Sequence, residues 1–168
     1  LADRTDFGAA QISMTGTTLR GRSVTLRTSS IVPSTLLGIP NPLPNATAAI
    51  DIADSTIAAT GGSVTISSSS NVDVAMDNSV ILPVAAIVGT SSSTVDVHGA
   101  SSISAGGGGN ITISSTSAIK TLAAPNAANA VIDKDSAVAV SDLTSTARTH
   151  VAGTTTLAAS GTINLTAT

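Results

Sequence analysis

Two histidines, ten aspartates and one run of four glycines are the residues of this sequence with types suited to chemistry. Asp96-Val97-His98 puts a carboxylate and an imidazole two residues apart, hence on the same face of a strand. A hydrolytic triad also needs a placed nucleophile and an oxyanion hole. Ser and Thr occur everywhere, but no Gly-x-Ser-x-Gly elbow occurs. His98 and His150 therefore read as surface residues. Zinc needs three or four ligands, and two isolated histidines without cysteine do not supply them. Calcium is the better fit for Asp51 with Asp54, Asp73 with Asp77, and Asp133 with Asp135, because it takes hard oxygen ligands. Yet Gly106 to Gly109 runs into Asn110 and Ile111, not into the Asp of the calcium nonapeptide repeat. These aspartates are expected to keep the surface soluble and to close turns through their side chains. The same four glycines lack the Gly-Lys-Ser/Thr ending of a phosphate loop and read as a flexible corner. No catalytic, cofactor or metal residue is assigned.

The composition narrows the remaining classes. Ser, Thr, Ala and Gly make up about half of the 168 residues. Phe7 is the only aromatic residue, all acidic residues are Asp, and Gln11 is the only Gln. Helical bundles and coiled coils need the Leu, Glu, Lys and Arg that are scarce here. A net charge of −3 with seven Lys plus Arg argues against nucleic acid, and no aromatic platform exists for stacking on bases or sugars. Arg4, Arg20, Arg22 and Arg27 make the start of the chain basic, whereas Thr28 to Ile119 carries five Asp and no Lys or Arg. Cysteine is absent, which removes disulfides and thiolate sites. The apolar runs Val80 to Val88 and Ile31 to Leu43 are respectively too short and too broken by proline to span a bilayer as a helix. The chain starts at Leu1 without a basic or apolar leader, so it is expected to be a processed or excised piece of a longer polypeptide. Asn45, Asn110 and Asn164 each open an Asn-x-Thr sequon.

Repeats must position whatever the chain displays. Gly21 to Leu26, Gly62 to Ile66, Gly109 to Ile113 and Gly161 to Leu165 share one pattern: glycine, a short spacer, and two aliphatic residues flanking a polar one. Leu19, Ile57, Ile103 and Leu157 precede them. A second family comprises Ile50-Asp51-Ile52, Val95-Asp96-Val97 and Val138-Ala139-Val140. Copies recur every 40 to 50 residues or so, a period typical of stacked repeats, and because the two families interleave one coil is expected to take about half that length. Each triplet alternates like a strand with one buried face. The strands are expected to be three to five residues long, with Gly and Ser clusters turning the chain between them. Val24, Leu26, Val64, Ile66, Ile111, Ile113, Ile163 and Leu165 should point inward, and Thr25, Thr65 and Thr112 outward. No Asn-Gly or Asp-Gly hairpin signal occurs. The fold class is all-β: a parallel β-helix (β-solenoid) as one unit over residues 1–168, with a β-sandwich as the alternative. Ile31 to Asn45, holding Pro33, Pro40, Pro42 and Pro44, should leave the coil as an apolar loop that covers a flank or meets a partner. Ala118 to Ala130 also fits no strand pattern.

The Gly-x-(Val/Ile)-Thr-(Ile/Leu)-x-(Ser/Ala) pattern, clearest in Gly61 to Ser68 and Gly108 to Ser115, resembles the coils of filamentous-haemagglutinin-type exoproteins and the passenger regions of large autotransporter adhesins. The resemblance covers Thr17 to Thr168. It implies a right-handed parallel β-helix and a structural or adhesive role in a secreted or surface-bound bacterial protein. The expected partners are neighbouring coils, end-to-end copies forming a filament, or the surface of a host or neighbouring cell. The alternative is a carbohydrate-active β-helix enzyme, which would need carboxylates gathered in a groove.

Overall fold

A computed structural model describes residues 2–6, 8–32, 35–36, 39–40, 43–78, 84–125 and 138–168. Among them all regular structure is β, and the strands fall into three main sheets. The chain visits these in turn. Sheet A takes β1 (Ala2–Asp6), β4 (Val24–Val32), β9 (Val64–Asn78), β12 (Ile111–Pro125) and β15 (Ile163–Ala167). Sheet B takes β2 (Ala9–Thr15), β7 (Asn45–Ala53), β10 (Val84–His98) and β13 (Val138–Val151). Sheet C takes β3 (Thr18–Gly21), β8 (Thr56–Ala59), β11 (Ser102–Ala105) and β14 (Thr156–Ala159). All pairing within the three sheets is parallel, and each strand lies beside its counterpart from the previous circuit. A sandwich of hairpins would pair antiparallel. The observed order is consistent with a β-solenoid, each circuit forming one rung.

Like stacks on like, as the triplets require. Val24, Val64, Ile111 and Ile163 form one column, and Leu26, Ile66, Ile113 and Leu165 the next. Leu19, Ile57, Ile103 and Leu157 form a third in sheet C. Val24, Val64, Ile111, Leu26, Ile66, Ile113, Ile57 and Ile103 are buried in one aliphatic cluster with Ile50, Ile52, Val95 and Val97, and Leu19 and Leu157 pack against it half-buried. Ile163 and Leu165 keep the column position but are 43% and 50% exposed, because β15 lies at the edge of sheet A.

One circuit takes the whole repeat rather than half of it, because the two triplet families lie in different sheets of the same rung, and the rungs grow along the chain. Paired residues of sheet A are separated by 24 residues (Ala2 to Leu26), then 40 (Val24 to Val64), 47 (Val64 to Ile111) and 52 (Ile111 to Ile163). Sheet C contributes four residues in every rung. Most of the growth is on the side where A passes to B: β1 and β2 have 5 and 7 residues, β4 and β7 have 9 each, β9 and β10 have 15 each. These 15-residue strands correct the expectation of three to five residues. Ser67 to Ser70, Ser91 to Ser93 and Ser114 to Ser117 read as turns in the sequence, but each continues a strand. Alternate serines face inward there and find partners across the interior, which removes the reason for a turn.

Two further readings change. The third member of the second triplet family is Thr149-His150-Val151, which pairs with Val95-Asp96-Val97; Val138 pairs with Val84 instead. Thr149 breaks the aliphatic pattern and hides the match. Ala118 to Pro125 belongs to β12, while 126–130 lie outside the described residues. Within the 31–45 insertion, Ile31 and Val32 end β4, and β5 (Thr35–Leu36) pairs antiparallel with β6 (Ile39–Pro40) before β7 begins at Asn45. Pro33 and Pro42 lie outside the described residues.

Candidate functional site

The outer face of sheet B gathers the two histidines with two of the aspartates. Register places Ser13, Asp51, Asp96 and His150 in one column across β2, β7, β10 and β13. His98 stands two residues beyond Asp96, beside Ala53. His98 Nε2 lies 3.0 Å from Asp51 Oδ1, and His150 Nδ1 lies 3.1 Å from Asp96 Oδ1. Each pair joins one rung to the next. The Asp96 and His98 side chains share a face, as the spacing requires, but they do not pair with each other. The pairs join partners 47 and 54 residues apart, and no local motif announces them. Each histidine is a little over two-fifths exposed, so solvent screens both pairs.

A His–Asp pair orients an imidazole, and a nucleophile on the other ring nitrogen would complete a triad. Among the described residues each imidazole bonds to its carboxylate and to no hydroxyl. Metal chemistry has the same shortage: no group of three His, Cys, Asp or Glu able to hold an ion occurs among the described residues. Asp133 and Asp135 lie outside those residues. Asp54 has a structural task. Its φ is +48°, and its Oδ1 accepts a hydrogen bond from Ala100 N at 2.8 Å. It occupies the corner between sheets B and C where the other rungs place Gly16, Gly99 and Gly153, all at positive φ. Asp is one of the few other residues that tolerate this conformation.

The corners carry a second inter-rung ladder. Ser55 Oγ accepts from Thr17 N at 3.1 Å, and Ser101 Oγ accepts from Ser55 N at 3.2 Å. Between sheets C and A, Ser63 Oγ accepts from Asn110 N at 3.0 Å, and Asn110 Oδ1 accepts from Thr162 N at 2.8 Å. The Asn110 sequon side chain is thus committed to the next rung. Gly106 to Gly109 forms the same corner. Gly107 and Gly108 have positive φ, and a Cβ on Gly109 would run into the Gly62 carbonyl. These glycines allow one rung to lie directly on another.

The interior holds the feature that sequence reasoning missed. Between sheets A and B a seam of hydroxyls separates the aliphatic cluster from a second cluster of Val32, Ala46, Val72, Val74 and Ile87. Ser70 and Ser91 hydroxyls are 2.7 Å apart, and Ser93 donates to Ser68 at 3.0 Å. Ser117 lies 2.9 Å from both Ser91 and Ser145, and Ser115 is 3.1 Å from Thr149. Ser68, Ser70, Ser91, Ser93 and Ser115 are buried. A period-2 recurrence of Ser within each serine run was the available signal.

No family model, curated protein or solved structure matches this chain.

Proposed function

We propose that the chain is a structural and adhesive segment of a large secreted or cell-surface bacterial protein, built as a right-handed β-solenoid. The observation that carries the proposal is the lateral bonding from rung to rung among the described residues. Parallel ladders run through all three sheets, and corner hydrogen bonds such as Thr56 N to Thr17 O (2.8 Å), Ser102 N to Ser55 O (2.8 Å) and Thr156 N to Ser101 O (2.9 Å) continue them between strands. Such a body resists bending and displays hydroxyl-rich ranks outside. Thr25, Thr65 and Thr112 form one outward rank in sheet A. Among the described residues no helix is long and apolar enough to cross a membrane. Contacts with cells or other copies would use the hydroxyl ranks or the exposed edge at β13, β14 and β15, where Val140, Leu143, Ile163 and Leu165 are 40–50% exposed.

The test is retention under flow. The segment is coupled to a surface, and bacterial or epithelial cells are passed over it. The proposal expects retention above that on a surface carrying an unfolded Ile113→Asp variant. Equal retention removes the adhesive role. Negative-stain images of the folded segment at rising concentration then read the structural one, with filaments supporting end-to-end assembly.

A further inference from the structure

The seam is completed differently in the second rung. Thr28 and Ser30 of β4 sit in register with Ser68 and Ser70 of β9. Both are fully buried, at 0% exposure, and neither Thr28 Oγ1 nor Ser30 Oγ has a hydrogen-bond partner among the described residues. The reason lies across the interior. Ser68 meets Ser93 and Ser70 meets Ser91, but in β7 the positions in register with Ser91 and Ser93 are Ala46 and Ala48. An alanine methyl neither donates nor accepts. The sheets cannot close onto the alanines, because larger side chains prop them apart on both flanks: Val32, Val72 and Ile87 on one, Leu26, Ile50 and Ile66 on the other.

We infer that this part of the seam is a binding site for ordered water, two molecules bridging Thr28 and Ser30. Buried hydroxyls are almost always paired, with protein or with water. Residues two apart on a strand face are separated by roughly 6.6 Å. One bridging water spans about 5.6 Å at ordinary hydrogen-bond lengths and a pair about 8.4 Å, so two waters bonded to each other fit the gap. Ser68 supplies a further partner: its oxygen accepts from Ser93, which leaves its own hydrogen free to donate downward. The site thus offers three hydroxyls facing the Ala46 and Ala48 methyls, within the two to four partners that a buried water uses, and β1 places Arg4 and Asp6 in register with Thr28 and Ser30 on the side away from β9.

The test uses the 168-residue chain and water itself as the probe. Oxygen-17 relaxation dispersion counts waters held longer than nanoseconds, and water-selective NMR locates them through transfer to the Ala46 and Ala48 methyl groups. The wild type should show a dispersion step and transfer to both methyls. The Ala46→Ser/Ala48→Ser variant supplies the missing hydroxyls, keeps Thr28 and Ser30, and should lose about two long-lived waters together with the transfer at that level. Signal relayed by hydroxyl exchange alone would persist in that variant and overturn the inference. A wild type without a dispersion step overturns it regardless of how the variant folds.

Discussion

Each rung builds its interior twice, by different means. Beside sheet C, columns of Leu, Ile and Val fill a narrow corner whose strand length never changes. Between sheets A and B, columns of Ser and Thr hold apart strands that lengthen from the first rung to the third. The aliphatic corner asks only for volume and shape. The seam asks each hydroxyl for a partner at hydrogen-bond distance, because a buried hydroxyl left alone costs about 1–3 kcal/mol. The corner therefore repeats faithfully in sequence, with Val24, Val64, Ile111 and Ile163 in one column, while the seam varies: Ala48, Ser93 and Ala147 share one position. Apolar stacking tolerates no charge but little else constrains it; polar stacking tolerates small apolar replacements but leaves debts across the interior.

The sharpest way to break this comparison is to put a charge into the corner. Ile113 is fully buried among aliphatic side chains. Ile113→Asp is expected to lose more than about 4 kcal/mol, by burying an unpaired carboxylate. Thr112→Asp, on the outer face of the same strand, should change stability by no more than about 0.5 kcal/mol. Chemical denaturation followed by circular dichroism reads both, and equal losses would reverse the face assignment.

The seam should respond less. Ser91 is its hub, within 2.7 Å of the Ser70 hydroxyl and 2.9 Å of that of Ser117. Ser91→Ala removes two hydrogen bonds and leaves Ser70 only the longer 3.3 Å bond to Ser117, which keeps its bond to Ser145, so about 1–3 kcal/mol should be lost. Ser92→Ala, one residue on and on the opposite strand face, serves as the control, with a change of at most about 0.5 kcal/mol. A neutral Ser91→Ala would mean that the hydroxyl network does not hold the two sheets together.

These two regions were unequally legible. The aliphatic triplets and their upstream Leu19, Ile57, Ile103 and Leu157 disclose three columns of the stack, because β-branched and γ-branched residues at period 2 are hard to place except in a strand. Serine carries no such signal, since it serves turns, strand surfaces and buried networks equally well. Ser67 to Ser70 looks like a break and is the middle of β9. The growth of the rungs was hidden because it lies beyond the repeated triplets: β9 adds Asp73 to Asn78 to the length of β4, and β10 adds Val84 to Gly89 ahead of the length of β7. The His–Asp pairs depend on register between strands 47 and 54 residues apart, with unequal loops between them; no fixed period would have aligned Asp96 with His150.

The corners between sheets B and C test a third kind of demand, that of the backbone. Gly153 has φ +74°, and a Cβ there would lie 2.8 Å from the Gly99 carbonyl oxygen. Gly153→Ala is expected to cost about 1–2 kcal/mol from the left-handed conformation, with the close approach adding to it. Gly108 also has positive φ, but open space surrounds its would-be Cβ. Gly108→Ala should therefore cost measurably less than Gly153→Ala. Thermal unfolding of the two variants side by side decides whether rung contact, rather than the turn conformation alone, selects glycine at the corner.

The smallest effect belongs to the outer face. Asp51 with His98 and Asp96 with His150 look like clasps between rungs, but their side chains are 29–44% exposed. Water competes for both members of each pair, and holding the side chains in place costs entropy, so each pair should contribute roughly 0–1 kcal/mol. A double-mutant cycle with His98→Ala and Asp51→Asn isolates the interaction from whatever else each side chain does. Repeating it with His150→Ala and Asp96→Asn should give the larger coupling of the two, because Asp96 is the less exposed carboxylate, 29% against 42% for Asp51. Both couplings should shrink in high salt, as exposed pairs do. A coupling near 3 kcal/mol for either pair would be too large for a solvated clasp. It would place on the outer face a polar network as demanding as the seam within, and the contrast between an exacting interior and a permissive surface would fail.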